Sequence, residues 1–197
     1  MEVEETASKY AQHAQHAQDK HYTYADYASW DDENRYELID GEVFMMSAPS
    51  VMHQRIVGRF LMQIATVLDR KRCEPFIAPL DVCLNAKGDD DDTVVQPDII
   101  VVCEQSKLDE KRCNGAPDLV IEVVSPSTSR HDRIRKLNKY LQAGVREFWI
   151  ADPDDKSVTT HILEDGKYVV NAYEDAESVT VSVLEGCEIS LPEVFAD

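Results

Sequence analysis

Two short segments constrain the fold of this chain more than anything else in it. QPDIIVV (96–102) and DLVIEVV (118–124) are almost wholly apolar and rich in β-branched residues. Runs of this length and composition read as strands covered on both faces, at the centre of a sheet. The periodicity changes around them. Pro49 opens a helix that runs to about Arg72, with Ile56, Phe60, Ile64, Val67 and Leu68 at helical spacing. A second helix spans about Ser127 to Ala143 and is closed by Gly144. Its apolar stripe is Ile134, Leu137 and Leu141, with Arg133, Lys136 and Tyr140 as a neighbouring stripe just off that face.

Shorter elements complete the pattern. TYADYASW (23–30) reads as a short helix with Thr23 as N-cap. RYELIDGEVFMMS (35–47) reads as two strands joined by Asp40-Gly41, a strong hairpin signal. FIAPLDVCL (76–84) and EFWIADP (147–153) read as strands, SKLDEKRCNGAP (106–117) as a connector, and SVTTHIL, KYVVNAY and SVTVSVL as a C-terminal series of strands. The expectation is an α/β fold. A mixed β-sheet is flanked by helices, with an N-terminal β-hairpin and a C-terminal β-meander.

With 197 residues, one domain over 22–197 is expected, preceded by a flexible tail over 1–21 that holds the low-complexity stretch AQHAQHAQ. The apolar runs fall far short of the roughly 18 residues a membrane span requires. The acidic N-terminus is not a secretory signal, so a cytoplasmic protein without membrane contact is expected. The five cysteines are odd in number and form no C-x-x-C pair, and they read as reduced thiols rather than as a zinc site. Lys+Arg 20 against Asp+Glu 38 leaves a net charge of −18. Such a surface repels nucleic acid at long range, so any DNA function must rest on a local basic patch or on bound cations.

The chemistry is carried by misfits. Glu122 interrupts LVIEVV, and Asp98 follows Pro97 directly before IIVV. Burying an ionised carboxylate costs several kcal/mol unless it is paired or coordinated. Either Glu122 pairs with a buried cation or turns to a polar face, or Asp98 and Glu122 share a divalent ion from adjacent strands. All-oxygen ligands of this type suit Mg²⁺ or Mn²⁺. The basic stripe of the following helix can lean over the same sheet end, or remain an exposed face with an Asp132–Lys136 pair.

Taken together, YELIDGE, the downstream Pro and His53, QPDIIVV, APDLVIEVVSPST and D-x-x-x-K-x-x-x-Y-x-x-x-GVREFW resemble the Uma-type family of bacterial endonucleases. That family lies within the PD-(D/E)XK, restriction-endonuclease-like superfamily. The resemblance covers about residues 22–195. It implies metal-dependent phosphodiester hydrolysis, with Asp98 at the "PD" position, Glu122 at the acidic position of "(D/E)XK" and Glu37 at an early acidic position. The lysine of that element would be residue 124, which is Val124 here. Lys136 on the following helix is the matching replacement. Asp118, four residues before Glu122, is the alternative ligand to Asp98. The resemblance thus implies a Mg²⁺- or Mn²⁺-dependent endodeoxyribonuclease with Asp98, Glu122 and Glu37 on the metal and Lys136 on the phosphate. His53 is either a phosphate contact or a core or capping residue. DNA is the expected substrate and a homodimer the expected assembly. The competing expectation, favoured by the charge, is a catalytically silent acidic module that binds or inhibits a protein partner.

Overall fold

The computed structural model describes residues 20–68, 72–124 and 130–196, and within this the side chains of 130–133 are left aside. The elements are α1 (Tyr24–Tyr27), β1 (Tyr36–Ile39), β2 (Glu42–Met45), α2 (Val51–Val67), β3 (Glu74–Ile77), β4 (Asp81–Cys83), β5 (Val94–Val95), β6 (Ile99–Val102), β7 (Arg112–Asn114), β8 (Leu119–Val123), α3 (Arg130–Ala143), β9 (Glu147–Asp152), β10 (Ser157–Glu164), β11 (Lys167–Tyr173), β12 (Ser178–Thr180), β13 (Glu188–Ser190) and α4 (Leu191–Val194).

The α/β expectation holds, but the strands divide into two mixed sheets and a small ribbon. One sheet has the order β2-β1-β5-β4-β7, the other β11-β10-β9-β8-β6-β3, and β12 pairs with β13. Each large sheet contains one parallel pair, β4 with β7 and β8 with β9. The two apolar segments are indeed central. β6 and β8 lie side by side in the six-stranded sheet, antiparallel, with Ile99 opposite Ile121.

Strand alternation decides what each face meets. Ile99, Val101, Leu119, Ile121 and Val123 face Ile56, Phe60 and Ile64 of α2 and the C-terminal Val179, Ile189 and Leu191. The other face carries Ile100, Val102, Val120 and Phe148, which pack with Ile39, Val82 and Val95 of the five-stranded sheet and with Tyr140 of α3. The outer face of the five-stranded sheet buries Leu38, Cys83 and Val94 under Tyr24. Asp98 and Glu122 share the parity of Ile100 and Val120, and Glu37 shares that of Ile39. All three carboxylates therefore belong to the layer between the sheets, at one end of it.

Several local expectations hold. Thr23 starts α1, where its N–H donates to Asp26 Oδ2 at 3.1 Å. Asp40 (φ 54°) and Gly41 (φ 74°) form a turn with both central residues left-handed, the type that matches strand twist.

Other expectations need correction. FIAPLDVCL is not one strand: the cis Ala78-Pro79 step separates β3, in one sheet, from β4, in the other. The 106–117 connector contains β7, recruited as an edge partner of β4. The long helix ends at Val67 rather than Arg72, since Leu68 is already extended. The meander covers only β9, β10 and β11; Ser178–Thr180 leaves it to pair with β13. On α3 the expected stripe is buried only in part: Leu137 packs against the core between the sheets, Ile134 is half exposed, and Tyr140 beside the stripe is fully buried. Two cysteines are not free thiols: Cys73 and Cys103 form a disulfide. They flank the Glu74–Val102 pair of β3 and β6, a cross-strand register invisible in Cys spacing alone. Cys83, Cys113 and Cys187 are free and buried.

Residues 1–19 of the expected tail lie outside the described residues. His21, placed in that tail, contacts the body: its Nε2 lies 3.0 Å from Asp92 Oδ2. Among the described residues no helix is long and apolar enough to cross a membrane.

Candidate active site

The β6–β8 register continues one step beyond Ile99–Ile121 and sets Asp98 across from Glu122. Asp98 is fixed through one oxygen. Its Oδ2 accepts the Val123 N–H at 2.8 Å and faces His53 Nε2 at 3.1 Å. His53 comes from the first turn of α2, where its backbone N–H donates to the N-cap Ser50 Oγ at 3.1 Å. The cap sets where the helix begins, and so where the imidazole emerges. The Asp98 hydrogen bond raises the His53 pKa, against the opposing effect of burial.

Glu122 is also held through one oxygen. Its Oε1 accepts from Tyr140 Oη at 2.6 Å and from Lys136 Nζ at 3.0 Å. Lys136 and Tyr140 stand one helical turn apart on α3, so both reach the same carboxylate. Lys136 Nζ is in turn 2.8 Å from Glu37 Oε1, which also accepts the Gln96 N–H at 2.9 Å. One ammonium thus bridges a carboxylate from each sheet.

The electrostatics follow from this packing. Desolvation pushes Glu122 up to about 7, helped by the charges of Asp98 and Glu37 and opposed by Lys136. Burial works against the Lys136 ammonium, but Glu122 and Glu37 outweigh it and raise its pKa. Burial and the Glu122 charge raise Tyr140, which keeps its proton and donates a hydrogen bond to Glu122. Buried ion pairs of this kind are sustained only by good geometry and further hydrogen bonds, which this cluster has.

The structure therefore brings Glu37, Asp98, Glu122 and Lys136 to one place. They line a cavity of about 530 Å³ with His53, Arg35 and Val124. Val124, at the usual lysine position, is buried and carries no charge. Asp118 is not part of the site. It precedes the opposite end of β8, where it accepts from the Cys103 N–H at 2.8 Å and from Arg146 Nη1 at 3.0 Å. Those partners engage both of its oxygens, and it does not line the cavity that Asp98 lines. The alternative of an exposed Asp132–Lys136 pair fails at Lys136, which points inward; the side chains of Asp132 and Arg133 lie outside the described residues. Among the described residues no group of three or more His, Cys, Asp or Glu side chains stands as a ready metal cage.

Three contributions escaped sequence reasoning: the His53 contact to Asp98, the Tyr140 contact to Glu122 and the Gln96 N–H on Glu37. The first had a weak signal in the spacing of Ser50 and His53, a cap and a side chain one turn apart. The last is a backbone contact and leaves no residue-type signature.

Comparisons with known proteins bear on the family and the fold. A family model, Uma2, described as "Putative restriction endonuclease", matches residues 24–192. A relative from Synechocystis sp., "Uncharacterized protein slr1290", is 25% identical over 156 residues, covering 77% of this chain and 80% of its own length. The crystal structure of a "putative nuclease belonging to DUF820" from Anabaena variabilis superposes with a TM-score of 0.71 at 21% identity, covering 89% of this chain and 98% of that one. The match to the family model spans all four strand and helix positions that supply Glu37, Asp98, Glu122 and Lys136, and on it the chain belongs to the Uma2 family of restriction-endonuclease-like proteins.

Proposed function

We propose that this protein is an endonuclease that hydrolyses DNA phosphodiester bonds with Mg²⁺ or Mn²⁺, using Asp98 and Glu122 as metal ligands, Glu37 as a third acidic partner and Lys136 as the site cation. The observation that carries the reading is the placement of Lys136 Nζ at 2.8 and 3.0 Å from Glu37 and Glu122, where Val124 offers no cation of its own. The donor set fits a hard divalent ion, since it is built of carboxylate oxygens. Among the described residues the hydrogen bonds to Asp98 and Glu122 engage only Oδ2 and Oε1, leaving Oδ1 and Oε2 to turn to a ligand.

When bound, the ion would neutralise phosphate charge and lower the pKa of a coordinated water. The chain's own residues do the rest. His53 and the Val123 N–H hold Asp98 in one orientation. Tyr140 holds Glu122. Lys136 keeps a proton on Nζ and donates a charge-assisted hydrogen bond to a phosphate oxygen that gains negative charge. A homodimer would provide two such sites for the two strands of a duplex.

The test is a cleavage assay on single- and double-stranded DNA with added Mg²⁺ or Mn²⁺, using Glu122→Ala as control, with melting temperature followed against metal concentration. Metal-dependent cleavage abolished in the variant supports the reading. A second reading, a silent acidic module that binds a protein partner, is favoured by the net charge of −18. Absence of both cleavage and metal-dependent stabilisation would overturn the first reading and make this one the leading reading.

A further inference from the structure

Arg35 lines the same cavity as Glu37, Asp98, Glu122 and Lys136 but takes no part in their ion pairs. It extends β1 by one residue. Its carbonyl accepts the Met46 N–H at 2.8 Å, which continues the register of Tyr36 with Met45. Strand alternation then puts Arg35 on the face of Glu37 and Ile39, between the two sheets. Its partner there is not a carboxylate. Arg35 donates through Nε and Nη2 to a single atom, Gln96 Oε1, at 3.0 and 2.7 Å. Gln96 is buried, and its own donors are committed. Its amide nitrogen donates to Asp81 Oδ1 at 2.8 Å and to Tyr27 Oη at 3.0 Å, and its backbone N–H donates to Glu37 Oε1 at 2.9 Å. One buried residue thus holds Arg35 by its side chain and Glu37 by its backbone.

A guanidinium presents its N–H donors in a rigid plane. In Arg35 the edge made by Nε and Nη2 is taken by Gln96. Among the described residues the edge made by Nη1 and Nη2 has no partner, and both hydrogen bonds go to a neutral oxygen. On a chain with 38 acidic and 20 basic side chains, an arginine fixed by an amide keeps its charge for another group. Lys136 differs, since its ammonium is shared between two carboxylates. A paired edge of two N–H groups matches two oxygens of one phosphate, a contact stronger and more directional than a single point charge makes.

We infer that Arg35 binds a backbone phosphate of the DNA substrate through Nη1 and Nη2, while Gln96 holds its other edge. Arg35 is then a substrate-binding residue, set beside the metal-binding carboxylates by the same glutamine that fixes Glu37. The inference rests on the nuclease reading for the identity of the substrate, but the contact is made on binding and is separable from cleavage.

The experiment uses the full chain and Arg35→Met, which keeps the aliphatic stem and removes the charge. Fluorescence anisotropy of a fluorescein-labelled DNA duplex, and of one of its strands alone, is read in Ca²⁺ buffer over a series of salt concentrations. Cleavage is followed separately with Mg²⁺ or Mn²⁺. Arg35→Met is expected to weaken binding of the tighter probe by roughly tenfold or more, as for loss of a charge-assisted contact. The slope of log affinity against log salt should fall by about one. KM should rise while kcat changes little. Arg35→Lys should keep the salt slope and recover only part of the affinity, since an ammonium cannot fork. Unchanged affinity and slope in folded Arg35→Met overturn the inference. So does a fall in kcat at unchanged KM, which would make Arg35 a support for Glu37 through Gln96. If thermal melts show that Arg35→Met does not fold, Arg35→Lys decides, and wild-type affinity in it overturns the inference. No binding of either probe by the wild type overturns it as well. Loss of affinity and slope in a protein that cleaves nothing supports the inference and overturns the nuclease reading. Cleavage by a wild type whose binding Arg35→Met leaves unaltered does the reverse.

Discussion

His53 Nε2 lies 3.1 Å from Asp98 Oδ2, and the other ring nitrogen, Nδ1, is buried without a hydrogen-bond partner among the described residues. The imidazole's side-chain hydrogen bond goes to that carboxylate, and the Val123 backbone also favours its charged form. A histidine in the first turn of α2 has no packing need for that contact; an apolar residue would fill the space without leaving a buried nitrogen unmet. In the proposed site the pair would act as a positioning device that keeps Asp98 Oδ1 available.

His53→Ala is expected to leave the protein folded and to weaken Mn²⁺ binding by roughly 10- to 100-fold, the range for loss of an outer-shell partner. His53→Gln, which can still donate to Asp98, should recover part of that loss. Calorimetric titration with Mn²⁺ checks both. Unchanged affinity in His53→Ala would return the residue to a purely structural place in the core.

The Glu122 carboxyl, pushed up to about 7, links stability to pH. Its folded pKa stands above the ordinary carboxylate value of about 4.3. Between these values the folded state binds more protons than the unfolded chain, so stability falls as pH rises through that window. Below it both states are protonated and the effect vanishes. Glu122→Gln removes this contribution and keeps an acceptor for Lys136 and Tyr140. In metal-free buffer the variant is therefore expected to gain on the wild type between about pH 5 and 7. Chemical denaturation at several pH values reads the difference; parallel curves would show that Lys136 cancels the burial effect.

Gly41 tests the N-terminal boundary. A β-carbon there would sit 2.4 Å from the His21 Nδ1 atom, and the residue holds φ 74°. Gly41→Ala must displace His21 from Asp92 as well as bear a left-handed backbone, a cost of about 1–3 kcal/mol. Replacing His21 by Ala in the same chain should relieve the contact and recover part of that loss, leaving the backbone strain. A double-mutant cycle of denaturation measurements separates the two.

How much of this was legible in the sequence depended on whether the signal was local. The hairpin at Asp40-Gly41 and the Thr23 start of α1 are set by their own residues, and both are where the pattern put them. Glu122 was legible as a misfit because alternation and apolar composition make one charge conspicuous. The split of 76–84 between two sheets was not: Ala78 and Pro79 show where the chain turns, but not that β4 joins a different sheet. The Cys73–Cys103 pairing likewise follows from the β3–β6 register, a long-range relation with no counterpart in spacing. On α3 the hydrophobic stripe placed Leu137 against the core, but it gave no sign that Ile134 is half exposed and that Tyr140 buries its ring while giving its hydroxyl to Glu122. An amphipathic residue of that kind serves core and site together.

Lys136 carries the sharpest expectation. Its ammonium is the shared partner of Glu37 and Glu122, and α3 supplies it in place of the uncharged Val124. Lys136→Met keeps the aliphatic stem and removes the charge. Activity is expected to fall by roughly 10²-fold or more, as for loss of one transition-state donor. Stability should change as well, because two carboxylates from opposite sheets lose their counter-charge; breaking a buried pair typically costs about 3–5 kcal/mol. That cost should be greatest in metal-free buffer at neutral pH and shrink towards pH 5, where Glu122 takes up a proton instead. Mn²⁺ should restore more stability to Lys136→Met than to the wild type, since the ion supplies the missing positive charge. Lys136→Arg would restore the charge but, with a planar fork in place of a compact ammonium, should recover stability better than rate. Thermal melts with and without Mn²⁺, set beside single-turnover cleavage, separate the two roles. A variant that loses activity while its metal-free stability stays unchanged would show that Lys136 does not hold the sheets together at this end, and full activity would remove it from the site.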